Sequence, residues 1–285
     1  MNNKIYISSS GVNFNKLEKN IIYLAKNGIQ NIELSGGCKY EKNVKIKLDK
    51  LKKKYELNFL IHNYFPAPKK NFVLNIGSCN EAIYQRTLKF YEKTIDLCAK
   101  MGIERYGIHS GFLIDIKSSE LGKKIKKREL YEKSKSIKRL VKGYRHLKKY
   151  SHGRVEIYLE NNVITKNNLI EYGENPLLFT CYSDYLLLKK NFKFKILLDL
   201  AHLKVSTKTL GINFLTEVKK FKKFVEYVHA SGNNSLRDSN NSICQDNQIK
   251  TAIKELKNAD IFTLEVYEDI KLILKSKKVC EKLLV

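Results

Sequence analysis

Eight apolar runs of strand length alternate with amphipathic, helix-like runs along almost the whole of this 285-residue chain. The strand-like runs are 4–8 (KIYIS), 29–35 (IQNIELS), 57–62 (LNFLIH), 103–109 (IERYGIH), 155–160 (VEIYLE), 194–199 (FKILLD), 225–230 (VEYVHA) and 261–266 (IFTLEV). Helical periodicity fills 15–28, 44–56, 80–101, 118–150, 176–190, 214–224, 247–258 and 268–283, with Gly28 and Gly102 closing two of these stretches. Regular alternation of this kind implies a parallel sheet with helical crossovers. Eight units favour closure into a (β/α)8 barrel, which needs roughly 250 residues. An open doubly wound sheet is the alternative, but no GxGxxG or GxxxxGKS motif follows a strand to support a nucleotide-binding version of it. Hydrophobic residues make up 43%, there are three Pro, and no linker-like stretch interrupts the pattern. Residues 1–285 are therefore read as one α/β domain, a single TIM barrel.

Six of the runs end in a side chain that can bind a metal: His62, His109, Glu160, Asp199, His229 and Glu265. Parallel strands of one barrel end on the same face, so these side chains converge although they are far apart in sequence. Three His, two Glu and one Asp make a suitable set for one or two divalent cations, with Mn, Zn, Mg or Co all admissible. A lone His at a strand end is ordinarily a hydrogen-bonded loop residue, and a lone Glu there ordinarily caps the next helix. Repetition across the chain is what argues for one shared site. In LLDLAHLKVS, His202 follows Asp199 by three residues, which puts both at the mouth of that site. His146 and His152 flank a Lys-rich helix end and read as surface residues.

The formal charge of +25 suggests a polyanionic partner. Only seven of the 54 basic residues are Arg, however, the residue that evolved phosphate sites tend to recruit. The excess is read as compositional, and the basic stretch 117–149 as a solvated helix face. Six Cys without a CxxC point to a reducing compartment. The start, MNNKIYISSSGVNF, lacks a signal-peptide core, and no run approaches the roughly 18 apolar residues of a membrane span, so a cytoplasmic location is expected.

Six segments together resemble the xylose-isomerase-like barrel superfamily, which holds sugar (phosphate) isomerases and epimerases together with endonuclease IV. They are IHNYFPAPKKNFVLNIGS (61–78), GIHSG (107–111), YLENN (158–162), LLDLAHLKVS (197–206), VHASGNN (228–234) and TLEVY (263–267), in family order. The resemblance implies that Glu160, Asp199, His229 and Glu265 hold the metal shared across the superfamily. His62 and His109 match the histidines that, with Glu160, hold a further zinc in endonuclease IV, and His202 matches a third-zinc ligand there. The Asp-x-His that should complete the third site reads Asp238-Ser239-Asn240 here, so Asn240 stands where the His is expected.

The first functional expectation is a divalent-metal-dependent isomerase or epimerase of a sugar or sugar phosphate, working by proton transfer through an enediolate. Glu160 and Glu265 would exchange the proton, and His202 would orient or polarise a substrate oxygen. His62 and His109 would hold a second metal or contact substrate. Lys204 and the loop 231–246, through Asn233, Arg237 and Asp238, are the remaining substrate-binding candidates. The alternative is an endonuclease IV-like zinc phosphodiesterase acting on abasic DNA, supported by His62, His109 and the charge and opposed by Asn240 and the scarcity of Arg. The expected partner is a small carbohydrate, with nucleic acid second and no membrane. Self-association into a homo-oligomer is left open.

Overall fold

The computed structural model of the protein describes residues 4–120 and 123–285. Its strands are β1 (Lys4–Ser8), β2 (Asn31–Leu34), β3 (Asn58–His62), β4 (Arg105–His109), β5 (Glu156–Glu160), β6 (Lys195–Asp199), β7 (Val225–Ala230) and β8 (Ile261–Leu264). They form a closed barrel in chain order, every pair is parallel, and β8 returns to β1. The expected (β/α)8 barrel is the observed one.

Ten α-helices surround the barrel among the described residues: α1 (Leu17–Lys26), α2 (Val44–Tyr55), α3 (Glu81–Met101), α4 (Lys133–Ser151), α5 (Lys166–Tyr172), α6 (Tyr182–Lys189), α7 (Leu200–Leu210), α8 (Phe214–Phe221), α9 (Asn247–Glu255) and α10 (Ile270–Leu284). Each long helix turns an apolar stripe inward: Ile21 and Leu24 on α1, Tyr91, Ile95 and Cys98 on α3, Leu140 and Leu147 on α4, Ile273 and Cys280 on α10, all at most 1% exposed. Each fully buried aliphatic side chain contributes about 1.5–3 kcal/mol by leaving water, so this layer dominates the fold's stability. No helix among the described residues is long and apolar enough to cross a membrane.

The helix pattern departs from expectation in four places. The basic helix expected over 118–150 begins only at Lys133. Residues 121 and 122 of that stretch lie outside the described residues, and 123–132 run without helix. The cause is Glu120, which accepts hydrogen bonds from the backbone N–H of Lys117 (2.9 Å) and Lys126 (3.1 Å) and from Arg128 (2.6 Å). The Arg128 bond is the main cause that holds its carboxyl down at about 2. A carboxylate that gathers local N–H groups competes with the helix for them. The stretch 176–190 is helical only over α6, because Asp184 draws back both the N–H (3.0 Å) and the hydroxyl (2.8 Å) of Thr180. Helices α5 and α7 were not expected. In α7 all eight residues from Leu200 to Thr207 are buried, so no polar face remains to betray a helical period.

Along the strands, alternate side chains fill the barrel interior in layers. The Tyr158 and Tyr227 rings meet edge to face at 5.6 Å, and one step towards the C-terminal mouth on the same strands stand Glu160 and His229. Register sets the neighbours: His109 lies beside Glu160 across β4–β5, and Asp199 beside His229 across β6–β7. Gly107 makes room in this layer. A Cβ there would come within 2.5 Å of Leu197 and 3.1 Å of the His62 ring.

Candidate metal centre

Glu160 is the hub of the barrel mouth. Its Oε2 accepts a hydrogen bond from His62 Nε2 at 2.7 Å and lies 3.2 Å from His109 Nε2. Its Oε1 lies 3.5 Å from His202 Nδ1 and 3.9 Å from His229 Nδ1. Burial alone would push this carboxyl up. The imidazoles of His109 and His62 outweigh it and hold the group well below the usual carboxylate range. His229 Nδ1 is also 3.6 Å from Glu265 Oε2. Burial works against charge on the His229 ring, and the carboxylates of Glu33 and Glu265 reverse that and raise it well above the usual imidazole value. Asp199 shows the opposite balance: burial lifts its carboxyl from 3.8 to about 7.

All six strand-end side chains picked out in the sequence reach this mouth. Glu160, Asp199 and His229 place donor atoms within 4.8 Å of one another, as do His62, His109 and Glu160. A third such group joins His62, His229 and Glu265 to Glu33, which sequence reasoning missed. Glu33 sits inside β2 and is fully buried. Its Oε1 is 2.8 Å from His229 Nε2, and its Oε2 accepts hydrogen bonds from Thr263 Oγ1 (2.6 Å) and the Tyr227 hydroxyl. The signal was present as a lone acid in the apolar run IELS, on the same alternation as Ser35 at that strand's end.

The imidazoles are held from behind. His109 Nδ1 is 3.2 Å from Asn162 Oδ1, and Asn162 is itself tied to Ser110 Oγ and the Gly111 carbonyl. His202 Nδ1 donates to the Asn161 carbonyl at 2.8 Å, which turns Nε2 towards Asp238 Oδ2 at 3.4 Å. The Asn161 side chain accepts from the backbone N–H of Asp199 at 2.8 Å. Asp199 Oδ1 in turn caps α7 by accepting from His202 N at 2.7 Å. Ligating histidines characteristically use their second ring nitrogen in this way.

The donor set fits a divalent cation on a direct observation. His229 Nδ1 and Glu160 Oε1 are buried, face each other, and have no hydrogen-bond partner among the described residues. A polar pair is not left so in a barrel interior without cost, and a cation bound by both would satisfy them.

Of the other substrate-binding candidates, Asp238 lines the mouth; Asn240, which stands where the third-zinc His is expected, lines it too, and its Oδ1 accepts from Ser231 Oγ at 3.2 Å. Lys204 does not. Its buried ammonium is 2.5 Å from Asp246 and donates to the Asn233 carbonyl at 2.8 Å, in a separate cavity. A buried cation needs such a counter-charge, which removes it from anion capture here. Asn233 is occupied with Ala201 and Ser235, and Arg237 is exposed on the loop. His146 is half exposed and meets Glu92, and His152 caps the end of α4 in the left-handed conformation with its side chain exposed, so both lie on the surface as expected.

The mouth opens into a cavity of about 390 Å³ whose lining includes Ser10, Asn13, Asn20, Ser35, Asn63 and Tyr267. Among the described residues neither Lys nor Arg lines it, in a chain with 54 of them. The cavity thus offers hydroxyl, amide, imidazole and carboxylate groups.

A family model described as xylose isomerase-like TIM barrel matches residues 22–283. No curated protein sequence matches the chain. Among solved structures, a D-tagatose 3-epimerase-like protein is similar at 18% identity and a TM-score of 0.74, over 99% of this chain and 97% of the other. The E. coli 3-keto-D-glucoside 4-epimerase is similar at 12% and 0.68, over 99% of both chains. Endonuclease IV from Thermus thermophilus is similar at 14% and 0.61, over 99% of this chain and 98% of the other. Likeness at these identities establishes the fold alone.

Proposed function

This chain belongs to the xylose isomerase-like TIM barrel family, and from that premise we propose that it is a divalent-metal-dependent sugar isomerase or epimerase. The observation that carries this reading is a carboxylate–imidazole cluster at the floor of a cavity whose described lining is rich in hydroxyl and amide groups and holds neither Lys nor Arg. The names of the epimerases with the same fold support it. Glu160, Asp199, His229 and Glu265 would hold the cation, with Mn, Zn, Mg or Co as candidates. When bound, it acts as a Lewis acid towards neighbouring carbonyl and hydroxyl oxygens of the sugar.

The chain's own residues supply the proton transfer. Glu160 and Glu265 reach the same point from β5 and from the end of β8, at 3.9 and 3.6 Å from His229 Nδ1. His229 is also the main reason the Glu265 carboxyl, despite burial, stays low. Both carboxyl groups thus favour the ionised form, so one can take the proton from the substrate carbon and return that same proton to the neighbouring carbon in an isomerisation, while in an epimerisation the other would deliver to the opposite face a proton taken up from water. Burial works against charge on His202, but Asp199 and Asp238 raise it well above the usual imidazole value; its Nε2–H, turned towards Asp238 at the cavity, would donate to a sugar oxygen bound beside that carboxylate. In this reading residues 1–285 act as one domain in a reducing, cytoplasmic setting, in line with six free cysteines, and as a monomer or a homo-oligomer.

The test is incubation of Mn²⁺-loaded protein with a ketose panel in D₂O. Deuterium entering at the carbon next to the carbonyl, and its loss in Glu265→Gln, is the expected result. The second reading, a zinc phosphodiesterase, draws on the His62–His109–Glu160 group. Nicking of an abasic-site duplex that is abolished by His109→Ala would replace the first reading with the second.

A further inference from the structure

A second, larger cavity of about 800 Å³ adjoins the first. The two share Gly37, Asn63, Tyr64 and His109 as common wall, so they lie side by side. The chemistry changes at that wall. On the metal side the lining is hydroxyl, amide and carboxylate. On the far side Tyr40, Tyr64, Phe72, Val73, Leu74 and Phe112 make it mainly apolar and aromatic. Tyr64 is fixed, its ring stacked on Phe90 and its hydroxyl accepting from Phe72 N at 2.9 Å. Tyr40, from the loop after β2, meets Lys69, from the loop after β3, with Nζ 5.6 Å from the ring centre, and both side chains line the cavity. A free monosaccharide would use only the polar compartment. Burying a phosphate dianion against Leu74, Val73 and Phe112 would be costly, because these side chains replace none of its water; the two lysines in the lining, Lys39 and Lys69, are exposed, and Lys69 is turned to the Tyr40 ring. A second sugar ring, with one face of C–H groups and an edge of hydroxyls, matches an aromatic wall with polar groups at its rim.

We propose that the substrate is a ketose carrying a second sugar ring, with the reacting unit at the metal mouth and the second ring in the aromatic compartment. This rests on the sugar-isomerase reading of the mouth. The test measures dissociation constants by calorimetry with the Mn²⁺-loaded full chain and four probes: D-fructose, D-fructose 6-phosphate, turanose and isomaltulose, the last two being glucosyl-fructoses. At least one glucosyl-fructose is expected to bind about tenfold or more tighter than fructose, equivalent to about 1.4 kcal/mol. Tyr40→Ala, at an exposed position, and Ala67→Trp, which fills the compartment, should each bring that ratio close to one. Equal affinities for fructose and both disaccharides in the unmodified protein would overturn the inference. So would tightest binding of the phosphate ester, which would assign the compartment to Lys39 and Lys69 instead. If the cation binds but none of the four sugars does, the sugar reading itself fails, and this inference with it.

Discussion

Glu160 has a deep side and a shallow side, and they are built differently. On the deep side, His229, Glu33, Tyr227 and Thr263 are all fully buried, and every one is a strand residue inside the barrel. On the shallow side, the His109 side chain is 24% exposed and is held through Asn162, which belongs to a loop. The deep half has few alternative arrangements, so it is suited to fixing an ion. The shallow half borders both cavities, so it is suited to selecting what the ion meets. On the proposed reading, then, burial would separate metal retention from substrate choice within one cluster.

The strongest way to break that division is Glu160→Gln, which touches both halves. It should remove stoichiometric divalent metal altogether, read by elemental analysis after gel filtration; retained metal would show that the hub is misassigned. Next comes Glu33→Gln on the deep side alone. Removing the carboxylate behind a ligating histidine typically costs 10–100-fold in metal affinity. A loss in that range, with melting temperature in excess metal nearly restored, supports the division, and unchanged affinity breaks it. On the shallow side, His109→Ala should leave the tightest-bound ion in place while changing sugar affinity or removing a second, weaker ion. Loss of all metal would put His109 in the deep half.

The smallest effect concerns pH. Asp199 has a folded value of about 7 against an ordinary 3.8, so protonation is favoured in the folded, metal-free protein. Its contribution is then most stabilising at low pH and is lost as pH rises from about 4 to 7. Comparison of thermal melts in chelator should therefore show Asp199→Asn gaining on the unmodified protein across that window. Adding cation, which needs the ionised carboxylate, should erase the gain.

How much of this was legible in the sequence follows the same division. The strand ends were readable because an acid or imidazole closing an apolar run breaks a local pattern, as in FKILLD and EYVH. Their convergence followed from parallel topology. Glu33 escaped notice because it stands one residue before the end of its strand, and only the closed barrel brings Tyr227 and Thr263, 194 and 230 residues further on, against it. The support of His109 by Asn162 was equally hidden, since a loop amide has many partners open to it until the fold chooses. Lys204 looked available for the opposite reason: its neutralising partner Asp246 is 42 residues away, and the sequence shows only the charge.

Asp199 does two jobs with one carboxylate. One oxygen is hydrogen-bonded to the first turn of α7, while the residue takes its place in the donor cluster. Its rotation is therefore confined before any ion arrives, and the loss of freedom that ligation would otherwise impose has already occurred during folding. The corollary is mechanical. Any shift of that carboxylate must carry the start of a buried helix with it, so if Asp199 ligates a cation, the packing around α7 would oppose an ion whose size demands such a shift.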